Sequence, residues 1–182
     1  MKKHLLFSFL LFIGLNSYAQ IYLAKTAEIS FFSETPLENV EAKCTAAKPM
    51  LNTNTGDVLV KVPIRSFVFP KPLMQEHFNE NYMESDKYTH AIFKGKINEK
   101  IDYTKDGSHN VTVTGTLDMH GVVKDRTIEG TLVIKGSEIT VTSKFVVHIA
   151  DHHITVPSAV TQNIAEDIEV KLNATLEPFK KK

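Results

Sequence analysis

Ile128-Glu129-Gly130-Thr131-Leu132-Val133-Ile134-Lys135-Gly136-Ser137-Glu138-Ile139-Thr140-Val141-Thr142-Ser143-Lys144-Phe145-Val146-Val147-His148-Ile149 is the stretch from which the fold can be read. Apolar or small residues stand at Ile128, Gly130, Leu132 and Ile134, and again at the odd positions from Ile139 to Ile149. A period of two belongs to a strand with one buried face, because successive side chains leave opposite sides of the backbone. Between the runs, Gly136-Ser137 is the two-residue link of a tight hairpin. The segment predicts two neighbouring antiparallel strands.

The same period extends outward. It appears at Ile29 and Phe31, through Val40, Ala42, Cys44 and Ala46, through Val58, Val60, Val62 and Ile64, and through Ala91, Phe93, Gly95 and Ile97. It continues at Val111, Val113, Gly115 and Leu117, and ends with Ile168, Val170, Leu172, Ala174 and Leu176. These runs predict eight strands, with turn-forming clusters at residues 52–57 and 105–108. One interval breaks the pattern. After Pro70 and Pro72, the residues Met74, Phe78 and Tyr82 recur every fourth position, which predicts a short helix over 73–83 with that stripe facing inward. A parity change from Ile149 to Ile154 and Val156 requires a turn or bulge within residues 150–153, and Pro157 bars a central strand position just beyond.

Eight sequential antiparallel strands with one apolar face predict an all-β chain closed as a lipocalin-like barrel, which leaves no open edge. Such a barrel is either filled by side chains or just wide enough for one small ligand. The small residues Ala42, Cys44, Ala46, Ala91, Gly95, Gly115, Gly130, Ser143 and Ala174 at inward parity favour a cavity. On this reading Gly115→Phe should block it. Cys44, the one cysteine, falls on the inner face of its strand and is expected to be a buried small hydrophobe.

The length of 182 residues suits one domain, and 42% hydrophobic residues exclude a disordered chain. Equal numbers of basic and acidic residues, 21 each, argue against a nucleic-acid partner, since neutralising phosphates needs a basic surplus. The N-terminus sets the compartment. Lys2 and Lys3 precede an apolar run from Leu5 to Leu15, and Ser17-Tyr18-Ala19 offers small residues where a signal peptidase reads. Residues 1–19 are expected to be a cleaved signal peptide and residues 20–182 a single barrel domain, periplasmic or secreted. The run is too short to span a bilayer, which takes roughly 20 apolar residues, so no stable membrane anchor is expected.

Three further stretches carry a family likeness. Residues 74–88, reading MQEHFNENYMESDKY and followed by Ala91-Ile92-Phe93-Lys94-Gly95, resemble the central signature of the YceI-like family. Residues 113–124, VTGTLDMHGVVK, resemble its second signature, and residues 145–157, with Asp151 and Ile154, its third. The resemblance implies an elongated lipocalin-like barrel, secreted or periplasmic, whose apolar tunnel takes an isoprenoid or related lipid-like chain; members are not known as enzymes. Two positions depart from the pattern. Thr89 stands where the family usually has Pro, and His152-His153 replaces an aromatic or apolar residue.

The candidate lining residues are Phe31, Val60, Val62, Phe67, Phe93, Val113, Leu117, Leu132, Phe145, Val147, Val170 and Leu172, with Phe78 and Tyr82 closing one side. His120, before Gly121 in an expected turn, is a candidate donor to a ligand headgroup or to backbone carbonyls. His148, His152 and His153 invite a metal reading, but their spacing matches no helical zinc pair, and the expected assignment is an outward strand residue, His148, followed by a polar turn. Ser143, His148 and Asp151 have the residue types of a hydrolase, yet a strand rising about 3.3 Å per residue keeps Ser143 and His148 apart. No catalytic group, metal or cofactor is expected. The expected partner is a hydrophobic small molecule, isoprenoid, quinone or fatty-acid-like, and a homodimer stays open. The competing readings are a ligand-free structural or interaction barrel and a histidine-dependent metal module.

Overall fold

The computed structural model describes residues 21–34, 39–156 and 165–180. The expected signal peptide and Pro157 lie outside these residues. Nine strand segments follow in order: β1 (Ile21–Ser33), β2 (Val40–Cys44), β3 (Lys48–Asn52), β4 (Asp57–Pro63), β5 (His90–Ile97), β6 (Gly107–Met119), β7 (Val122–Lys135), β8 (Glu138–His148) and β9 (Asp167–Pro178). All neighbours pair antiparallel, and β1 pairs with β9 from Tyr22↔Pro178 to Phe32↔Glu169, which closes the sheet. The result is the eight-stranded barrel that the alternation predicts, because β2 and β3 together occupy one position beside β1.

That shared position corrects one detail. The alternation drawn through Ala46 stops at Cys44; the chain breaks at residues 45–47, Ala46 is exposed, and Ala47, Pro49 and Leu51 resume the buried side. Cys44 itself is fully buried, as expected. The helix is present too, with a change of winding. Residues Pro72–His77 form α1, and Phe78–Tyr82 continue as a wider π turn. Pro72 in the first turn suits α1 because a proline there forfeits no hydrogen bond. At the other parity change a single 3-10 turn, Ile149–His152, ends β8 and turns the chain over the barrel.

One end of the barrel is solid. Ile134 and Ile139, 2% and 1% exposed, pack there clear of the cavity, beside Leu51, Ile97 and Leu176, which form its floor. At the other end lie α1, the Ile149–His152 turn and the β6–β7 hairpin. His120 and Gly121 form that hairpin's two-residue turn with φ of 53° and 73°, the left-handed pair such links need.

The glycines at inward parity do not all make room. Gly95 and Gly115 face one another across β5 and β6, and a Cβ on Gly115 would lie 2.1 Å from the Lys94 carbonyl oxygen. Gly115 therefore allows two backbones to approach closely and lies outside the cavity wall. A phenylalanine there would push strands apart before it filled anything, so it is unsuitable as a plug.

The closure is incomplete between β7 and β8. β7 pairs with β8 only from Gly130↔Ser143 to Lys135↔Glu138, while β7 remains paired with β6 up to Val122 and β8 with β9 up to His148. Above Gly130, among the described residues, no strand is paired to that side of β7.

Candidate functional site

The barrel is hollow from α1 down to Leu51, Ile97 and Leu176. Phe31, Val113, Ile128, Val141, Phe145, Val170 and Leu172 point inward yet stay only partly buried, because they face a cavity of about 660 Å³. That volume is within the range of small-molecule sites, about 300–1,000 Å³. Every lining residue expected from the sequence borders it: Phe31, Val60, Val62, Phe67, Phe78, Tyr82, Phe93, Val113, Leu117, Leu132, Phe145, Val147, Val170 and Leu172. Their alternation along the strands is what aims them there.

Under α1 the wall is aromatic. Phe78 lies 5.6 Å from Phe31, 5.6 Å from Phe67 and 5.0 Å from Phe69 between ring centroids, and Phe31 contacts Phe67 and Phe69 as well. Met74, Phe78 and Tyr82 all border the cavity, so the stripe spaced by four faces inward despite the π turn. The Tyr82 phenol is pushed up from its ordinary pKa by this burial. Polar residues touch the cavity at its ends: Lys71 and His77 beside α1, and Glu129 and Ser143 where β7 leaves β8.

The exception among the expected residues is His120, which lies outside the wall. Its Nδ1 donates to the His152 carbonyl at 3.0 Å, its Nε2 lies 3.0 Å from Glu84 Oε2, and its ring packs on Tyr88 at 4.4 Å. The left-handed turn swings this side chain away from the barrel axis and onto the segment after α1. Of the two partners read from the sequence, the structure shows a backbone carbonyl: His120 fastens the hairpin to its cover.

His152 is a correction. Assigned to a polar turn by its sequence, it is fully buried, with Nδ1–H shared between the carbonyls of Met119 (3.2 Å) and Val122 (3.1 Å). Burial lowers its pKa, since the charged form would lose its hydration, and Arg126 adds to the effect. Its partners are the two residues flanking the hairpin turn, so it clamps the end of β6 and β7 under the Ile149–His152 turn. His148 is on the outward face, paired with Asp167, and His153 is exposed at φ 56°. Among the described residues no group of three or more His, Cys, Asp or Glu could hold a metal ion. Ser143, His148 and Asp151 are likewise tied to different partners, Glu129, Asp167 and Arg126.

The domain profile described as "YceI-like domain" matches residues 23–176, which run from β1 into β9. The chain belongs to the YceI-like family. The barrel is similar to a polyisoprenoid-binding domain from Saccharophagus degradans implicated in plant cell wall breakdown, at 14% identity and a TM-score of 0.74, over 89% of this chain and all of that one (100%). It is also similar to BcnA of Burkholderia cenocepacia, at 15% identity and a TM-score of 0.69, covering 82% and 95% of the two chains. The YceI protein of Campylobacter jejuni matches at 18% identity and a TM-score of 0.54, over 100% and 91%. Among curated proteins none matches this chain. At such identities the structural likeness concerns the fold. This YceI-like chain keeps the family's barrel while burying His152 against the β6–β7 hairpin.

Proposed function

We propose that this protein is an exported, non-enzymatic binding protein that holds an isoprenoid or other lipid-like amphiphile within its barrel. The observation that carries the reading is the hollow itself: an apolar chamber walled by strand residues and roofed by four phenylalanines. Enclosing about twenty methylene equivalents at roughly 0.8 kcal/mol each is a gross gain of about 16 kcal/mol, against which association and ordering costs are set. Binding of this kind needs no catalytic group. The domain from S. degradans, described as polyisoprenoid-binding, supports the ligand class. Export rests on the cationic and apolar residues before Ile21, and no helix among the described residues is long and apolar enough to cross a membrane. A filled structural barrel fits less well, because inward residues such as Val141 and Phe145 lack packing partners on one side.

The test is organic extraction of the purified mature protein, followed by mass spectrometry for lipids and quinones against a heat-denatured control. A stoichiometric isoprenoid or acyl species is expected. Val141→Phe, which adds bulk inside the chamber, should lower uptake of added ligand. An empty protein that takes up neither isoprenoids nor fatty acids sinks the proposal.

A further inference from the structure

The divergence of β7 and β8 opens the side of the barrel, and the cavity reaches this gap through Glu129, Gly130 and Ser143. Ser143 Oγ donates to the Glu129 carbonyl at 2.5 Å along its lower edge. Across its upper edge Arg126 reaches from β7 to the Ile149–His152 turn, its Nη2 donating to Asp151 Oδ2 at 3.2 Å. Arg126 lies on the same face of β7 as Ile128 and Gly130; those two border the cavity, and Arg126 stands just beyond them, outside its wall. Its side chain is 20% exposed, and its Nε–H is buried without a hydrogen-bond acceptor. A buried donor left unpaired costs about 1–3 kcal/mol, more when it is charged, so this atom points to an acceptor that arrives with a ligand.

We propose that the β7–β8 gap holds the polar head of the bound molecule, and that Arg126 selects an anionic head, a carboxylate or a phosphate, through its unpaired Nε–H. This rests on the lipid-binding reading above. A head cannot lie against the apolar wall without losing its hydration, so it belongs at one of the two polar ends of the cavity. The α1 end is crowded by Phe31, Phe67, Phe69 and Phe78, which suit a hydrocarbon chain. The gap offers unpaired strand edges and a guanidinium, which recognises carboxylate and phosphate through charge-assisted hydrogen bonds. Asp151 occupies one nitrogen of Arg126 and opposes an incoming anion, so it sets the strength of the selection.

The experiment compares farnesol, farnesyl phosphate and palmitate by calorimetry on the mature protein. The wild type should bind the two anions more tightly than the alcohol, and the stronger of the two identifies the head. Arg126→Gln should weaken the anions roughly tenfold, about 1.4 kcal/mol, with farnesol held at its wild-type affinity. Asp151→Asn, which leaves the guanidinium unopposed, should strengthen the anions severalfold, and it serves as the test if Arg126→Gln fails to fold. Equal losses for all three ligands in Arg126→Gln, no change in either variant, or loss of selection in Lys71→Gln instead would overturn the assignment. A wild type that binds none of the three overturns the lipid-binding reading itself, whereas one that binds farnesol alone leaves that reading standing and refutes only the anionic head.

Discussion

Gly115→Ala is the sharpest test of the barrel's register. The substitution adds one methyl group, and that methyl has nowhere to go: it would lie 2.1 Å from the Lys94 oxygen and 2.4 Å from the Gly95 Cα. Carbon contacts are comfortable at about 3.5–4.0 Å, so β5 and β6 must separate by roughly 1 Å or more along a ladder that runs from Ile92↔Asp118 to Ile97↔Val113. Overpacking of this kind costs about 1–3 kcal/mol. One or two weakened ladder hydrogen bonds add about 1 kcal/mol each, giving a loss of roughly 2–5 kcal/mol from a typical total of about 5–15 kcal/mol. The assay is urea unfolding followed by far-ultraviolet circular dichroism. Gly136→Ala is the control, since a Cβ there meets nothing within 4 Å and only the φ of 59° is penalised, by about 1 kcal/mol. If Gly115→Ala is no worse than Gly136→Ala, the pairing of Gly95 with Gly115 is wrong, and with it the placement of β6.

Phe78→Ala removes three ring contacts and should cost about 2–4 kcal/mol for a half-buried phenylalanine; cleavage after Glu76 by a glutamate-specific protease should accelerate as α1 lifts, and unchanged cleavage would mean that the helix is not held by this cluster. His152 makes stability depend on pH. Its folded pKa lies below 6.5 while the unfolded chain takes up the proton near 6.5, so the stabilisation present at higher pH is lost as the pH falls from about 6.5 through the folded value. His152→Gln should flatten the melting temperature between pH 8 and pH 5 relative to the wild type, and parallel curves would remove His152 as the cause. Burial pushes the Tyr103 phenol up to about 12; an ultraviolet titration should show one late ionisation step that Tyr103→Phe abolishes.

Most of the barrel was legible because one face of each strand is apolar, and period two then fixes which residues face the interior. The hydrocarbon-lined site followed from the same alternation, which is why Val60, Phe93, Leu132 and Val170 reach the cavity together. What escaped has a common origin in segments whose partners are distant in sequence. Pro49 and Leu51 continue the inner face after a break at residues 45–47, and a run of five residues containing a proline carries little periodic signal. His152 reads as a turn residue because its acceptors, the carbonyls of Met119 and Val122, lie some thirty positions earlier. The gap did leave a trace. Lys124 and Arg126 occupy the inward parity of β7, where charge is out of place in a fully paired barrel, and that charge begins where β8 departs.

The gap also divides the wall into regions of unequal persistence. Below Gly130 and Ser143, β7 and β8 are each held on both sides; above them each has a single paired edge. Local opening of a strand costs less where fewer hydrogen bonds break together. Amide protons of upper β7 and upper β8 should therefore exchange with solvent far sooner than those of the solid end around Ile134 and Ile139. The barrel can breathe at its open flank while its base stays shut, so a long guest need not wait for the whole molecule to unfold.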